Sequence, residues 1–117
     1  MTASKDRLIG VVGPCGAGKS TLTKALDELG YQTRHIAQEH SYVKDMWRRL
    51  TNPDVLIYLH VSYAESQTRR PMNWTESEYL EQLRRLEHAR EHANLTIDTD
   101  GLQVHELIAR VTTYLDK

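Results

Sequence analysis

The chain holds a single cysteine, Cys15, among its 117 residues. No internal disulfide can form, a reducing compartment is compatible, and stability must come from packing. Neither sign of charge is in excess, with 15 lysines and arginines against 16 aspartates and glutamates. That balance argues against a general affinity for nucleic acid or an anionic membrane, each of which usually shows as a basic surplus. Long apolar runs are missing too: after Lys5, Asp6 and Arg7 nothing is suited to a signal peptide or a membrane span. Repeats, low-complexity segments and linkers are absent. These absences lead us to expect a soluble cytoplasmic protein with a small-molecule partner. The length suits one compact domain over residues 1–117.

What is present is concentrated near the start. Residues 13–20 read Gly13, Pro14, Cys15, Gly16, Ala17, Gly18, Lys19, Ser20, a full match to the phosphate-binding pattern G-x-x-x-x-G-K-[ST]. Leu8 to Val12 before it is a short apolar run suited to a buried parallel strand, and Ser20 to Leu29 repeats apolar residues at helical spacing. A strand thus feeds a glycine loop that opens a helix. Gly13, Gly16 and Gly18 let the backbone turn tightly, so that successive N–H groups wrap phosphate oxygens where the helix dipole also favours negative charge. By the same mechanics Lys19 reaches the β and γ phosphates, the Ser20 hydroxyl takes a position on Mg²⁺, and Thr21 adds a contact to the α phosphate. The side chain of Cys15 is free to vary, since the backbone does the binding.

Farther on, Gly30 sits where a helix cap is needed and Tyr31 to Ala37 reads as a second, partly polar strand. Ser41 can cap a short helix with Val43, Met46, Trp47 and Leu50 on one stripe, ended by Asn52 and Pro53. Val55 to Leu59 has the composition of a central strand covered on both faces. Residues 62–75 form a long irregular, lid-like stretch that can begin as a helical turn. Thr75, Glu76, Ser77 and Glu78 have the form of a capping box, opening a helix to about Ala93 with Tyr79, Leu83, Leu86 and Ala93 on its apolar side. Leu95 to Ile97 makes a last strand, and a closing helix aligns Val104, Leu107, Ile108, Val111 and Leu115. The alternation predicts a three-layer α/β/α fold around a small parallel sheet of about four strands, with right-handed crossovers and ligands at the strands' carboxyl ends.

This order of parts resembles the small P-loop kinases, the group containing nucleoside monophosphate kinases, shikimate kinase and dephospho-coenzyme A kinase, in reduced form. The segment from Asn52 through Val55-Leu56-Ile57-Tyr58-Leu59 to Ser62 looks like the strand leading into their arginine-bearing lid. Ala93 to Thr99 looks like their last strand, followed by the loop whose backbone contacts adenine. The resemblance implies ATP as donor, Mg²⁺ as cofactor and transfer of the γ phosphate to a small-molecule acceptor that the sequence does not name. Arg69 and Arg70 match the place of the lid arginines, one of which would approach the ATP phosphates, while Arg84 or Arg85 could face the transferred group.

Two departures concern the metal and the acceptor. The family usually has a further strand ending in an acidic residue that holds Mg²⁺ through water, and this chain seats none obviously. Glu39, at the end of the second strand, is the best substitute, with Asp45 second; His60 stands where many relatives have a carboxylate. The acceptor-binding insertion is missing or reduced to Tyr42 to Leu50. The expected catalytic set is therefore Lys19, Glu39, Arg69 and Arg70, with Ser20 and Glu39 on the metal. Two other functions stay open: a nucleotide-binding sensor or partner module without catalysis, and an NTP hydrolase coupled to a protein partner. His88 to His92 also matches the zinc pattern H-x-x-E-H, but a third ligand would have to come from His105, Glu106 or one of three aspartates downstream, on segments with other jobs in this fold, and a charged outer helix face explains the match.

Overall fold

A computed structural model describes residues 6–69 and 73–116. The apolar run becomes β1 (Leu8–Val12), the glycine loop follows, and α1 (Lys19–Glu28) leaves from it. Gly30 turns the chain at a φ of 96°, a conformation that favours glycine, into β2 (Gln32–His35). Then come β3 (Val55–His60), α2 (Tyr63–Arg69), α3 (Glu76–His92), β4 (Leu95–Asp98) and α4 (Val104–Leu115). The sheet has four strands in the order β2-β1-β3-β4. Every pairing is parallel, with Leu8 opposite Gln32, Ile9 opposite Val55, and Ile57 opposite Leu95.

Strand alternation sorts the core into two layers, because successive side chains leave a strand on opposite faces. Ile9, Val11, Val55, Ile57, Leu59 and Ile97 face one side, where Leu22 and Leu26 of α1 and Leu107, Val111 and Leu115 of α4 cover them. Val12, Leu56 and Tyr58 face the other, against Leu86 and Ala89 of α3 and the indole of Trp47. The three-layer α/β/α expectation is met. As an edge strand with mostly exposed side chains, β2 is shorter than the span Tyr31 to Ala37 expected for it.

The helix expected between Ser41 and Leu50 does not form. Instead Ser41 Oγ accepts from the Val43 amide, and five residues, Trp47–Thr51, make a π turn that ends on Asn52 at a φ of 46°. The cause is Gln38, fully buried, whose amide nitrogen donates to the Val43 carbonyl and whose oxygen accepts from the Trp47 amide at 2.8 Å. A side chain from outside the segment takes backbone groups that a regular helix would pair internally. Of the expected stripe Trp47 is buried, while Val43 and Leu50 face solvent.

The lid-like stretch opens with a regular helix, α2, and residues 70–72, including Arg70, lie outside the described residues. Ahead of α3 the capping box is complete: Thr75 accepts from the Glu78 amide, and the Glu78 carboxylate accepts from the Thr75 amide at 2.8 Å. The buried side of α3 reads Tyr79, Gln82, Leu86, Ala89. Among the described residues, no helix is long and apolar enough to cross a membrane.

Parallel pairing sends all four strand ends to one edge. The glycine loop follows β1, Glu39 follows β2, α2 follows β3 and Thr99 follows β4.

Candidate functional site

The loop is shaped by what its glycines permit. Gly13 has a φ of 156°, and a Cβ there would stand 2.2 Å from the Leu59 carbonyl oxygen, so the loop can lie against β3 only with glycine at that position. Gly16 and Gly18 take φ of 89° and 99°, and the Ala17 amide donates to the Pro14 carbonyl at 3.2 Å. The amides of Gly16, Gly18, Lys19 and Ser20 find no acceptor among the described residues. They gather at the first turn of α1, where unpaired donors and the helix dipole can hold an anion. Cys15 turns its amide outward, to Gln82 Oε1 of α3 at 3.0 Å.

Lys19 lies inside this turn, 5% exposed. Its ammonium donates to the Gly13 carbonyl, to the Pro14 carbonyl at 3.3 Å and to Glu39 Oε2 at 2.8 Å. Glu39 is 3% exposed on a 3-10 turn, Gln38–His40, and direct pairing of β2 with β1 brings that turn to the loop. Its second oxygen, Oε1, is buried without a hydrogen-bond partner among the described residues.

In front of the loop opens a cleft of about 570 Å³, in the range of about 300–1,000 Å³ usual for small-molecule sites. Cys15 to Thr21 form one wall, His35, Glu39, His40, Arg69 and Thr99 the others, with an apolar end made by Leu102, Val104 and Leu107. Gly13 and Pro14 are buried behind the wall and do not line it. Ser20 is exposed at the mouth, its Oγ 3.4 Å from His35 Nδ1. Burial, and after it the Lys19 ammonium, holds the His35 imidazole below its ordinary value, with Glu39 opposing.

Arg69 reaches the cleft from α2. It donates to the Gly16 carbonyl at 3.2 Å, to Thr99 Oγ1 at 3.0 Å and to the Thr99 carbonyl, and Glu65 holds its Nε at 3.2 Å. The guanidinium therefore ties the glycine loop to the segment after β4. Asp45 is not brought to the cleft; it pairs with Arg49 at 2.8 Å, which holds its carboxyl below the usual range. His60 is also elsewhere, stacked on Tyr58 beside Asp98 in a groove over the opposite face of the sheet. Of the arginines on α3, Arg84 is exposed and bound to Glu81, whereas Arg85 donates to the Glu39 carbonyl at 3.4 Å and stacks on Tyr42. The H-x-x-E-H pair serves packing: His88 Nδ1 accepts from Trp47 Nε1 at 3.1 Å, and the two imidazoles lie 4.2 Å apart.

Three lining or bracing residues escaped the sequence reading. Gln82 had a signal, a polar residue on the otherwise apolar 79-82-86-89 stripe of a helix. His35 and Thr99 stand at or just beyond strand ends, which is where parallel sheets place ligand-facing groups, but nothing in their spacing marks them. No protein-family model matches this chain, and no curated protein matches it.

Proposed function

We propose that the chain binds the Mg²⁺ complex of a nucleoside triphosphate, ATP, and transfers its γ phosphate to a small-molecule acceptor. The observation that carries the reading is the buried Lys19 ammonium set among unpaired loop amides behind an open cleft. In the proposed complex the loop amides wrap the polyphosphate, and Lys19 exchanges carbonyl partners for phosphate oxygens. Arg69, already in the cleft, neutralises charge on the transferred group. Ser20 and Glu39 offer a hydroxyl and a carboxylate with a free oxygen, the hard donors that Mg²⁺ takes, and they would hold it. Bound there, the ion supplies charge neutralisation to the phosphates.

A second hollow of about 460 Å³ supports transfer over binding alone. It shares His40 with the first cleft and is lined by Trp74, Gln82, Glu78, Glu81, Arg84 and Arg85, a polar space for an acceptor in which the carboxylates match the guanidiniums. The test is ADP formation from Mg·ATP, by chromatography, against a panel of nucleotides, sugars, shikimate-like acids and coenzyme precursors. Metal-dependent ADP that rises with one acceptor is expected. Phosphate release that no acceptor changes would assign a hydrolase instead, and saturable binding with no ADP a binding module.

A further inference from the structure

We infer a second metal site at the outer lip of the glycine loop, where Cys15 Sγ, His40 Nε2 and a carboxylate oxygen of Glu39 take up a divalent ion of the zinc class. The three ligand atoms lie within 4.8 Å of one another. Sγ and Nε2 are 3.9 Å apart, and Nε2 is 3.7 Å from Glu39 Oε2. Tetrahedral zinc with bonds of about 2.3 Å to sulfur and about 2.0 Å to nitrogen separates those two ligands by about 3.5 Å, so that pair needs to close by only a few tenths of an ångström, and the sulfur and the carboxylate oxygen by at most about an ångström more.

The carboxylate points to an ion, and a brace on the thiol orients a second ligand. Glu39 is 3% exposed; Lys19 holds Oε2, the oxygen 3.7 Å from His40 Nε2, while Oε1 is buried and finds no hydrogen-bond partner among the described residues, so the carboxylate keeps one oxygen open to an ion. Cys15 is braced by Gln82, whose Oε1 accepts from the Cys15 amide at 3.0 Å while its Nε2 donates to Sγ at 3.2 Å. A donor to the sulfur fixes its direction, as outer partners of metal ligands do. Mg²⁺ would account for the carboxylate but not for a thiol and an imidazole beside it, a set that suits zinc. The His40 side chain is 60% exposed, so the ion can arrive from solvent, and water fills the fourth position. On binding, the S–H bond breaks, the proton leaves to solvent and a sulfur–metal bond forms with no change of oxidation state; the thiolate and the carboxylate, the latter shared with the Lys19 ammonium, supply the negative charge facing the ion. Glu39 is the carboxylate assigned above to Mg²⁺, so the two ions exclude each other; this consequence alone rests on the nucleotide reading.

The test uses the whole chain, reduced and free of nucleotide, with Co²⁺ alone as the probe. One equivalent should bring the near-ultraviolet charge-transfer band of a cobalt thiolate and the strengthened visible bands of four-coordinate cobalt, and Zn²⁺ should abolish both. Cys15→Ser should lose the charge-transfer band, His40→Ala should bind about tenfold more weakly or worse, and Gln82→Leu about 10–100-fold more weakly. Only the faint absorption of hydrated cobalt in the wild type, or a band of full strength and affinity in His40→Ala, would overturn the site. His40 is exposed, so that variant should fold even where Cys15→Ser does not. Titration of ATP without transition metal is untouched by either outcome, which keeps the two proposals separable.

Discussion

Lys19 and Glu39 are buried against each other, and that pairing sets what a substitution at either one does. Lys19→Ala removes the cation from a carboxylate that is 3% exposed in the parent, a loss of the kind that costs about 3–5 kcal/mol. Adding Glu39→Gln neutralises the stranded group, so Lys19→Ala/Glu39→Gln should recover most of that stability in urea unfolding. Equal stability for the single and double variants would mean the pair is not coupled. Another buried group shapes the alkaline limit. Burial pushes the Tyr58 phenol up to about 12, so the unfolded chain releases this proton first as pH rises past 10.0. The stability tied to Tyr58 is thus complete below the ordinary tyrosine value and lost above it, by about 2–3 kcal/mol over the interval. Tyr58→Phe should flatten the fall in stability at alkaline pH, measured by unfolding across that range; burial also raises Tyr31 and Tyr79, so part of the slope should remain.

Elements were legible where their determinants are local. The run Val55 to Leu59 forms a strand buried along its length, and the capping box at Thr75 forms with both of its hydrogen bonds. Thr75→Ala should cost about 0.5–2 kcal/mol in chemical unfolding and, through α3, loosen the Gln82 brace on Cys15. A variant as stable as the parent would show that the cap contributes nothing. The segment 41–51 was misread because its hydrogen bonds come from Gln38, which lies before the segment, and no periodicity within it reports that. At the glycine loop the reading succeeded for the backbone, since Gly13, Gly16 and Gly18 all adopt positive φ. It failed for Gln82, which meets the loop across 67 residues of chain.

For the whole molecule, alternation of strand and helix was enough to give the parallel sheet and its three layers. Strand order was not, because it is set by which apolar faces pack together, and that order is what lays β2 beside β1 and carries Glu39 to within 2.8 Å of Lys19. Convergence of four strand ends on one edge then makes a single cleft from residues scattered between Cys15 and Leu107. The most direct measurement of the central claim is calorimetric titration of Mg·ATP into the parent chain and into Lys19→Ala/Glu39→Gln. Saturable one-site binding by the parent is expected, weakened at least about ten- to a hundredfold in the variant, which loses the charge-assisted hydrogen bond of Lys19 together with the Glu39 carboxylate assigned to the metal. No binding by the parent, or equal affinity in both proteins, would contradict it.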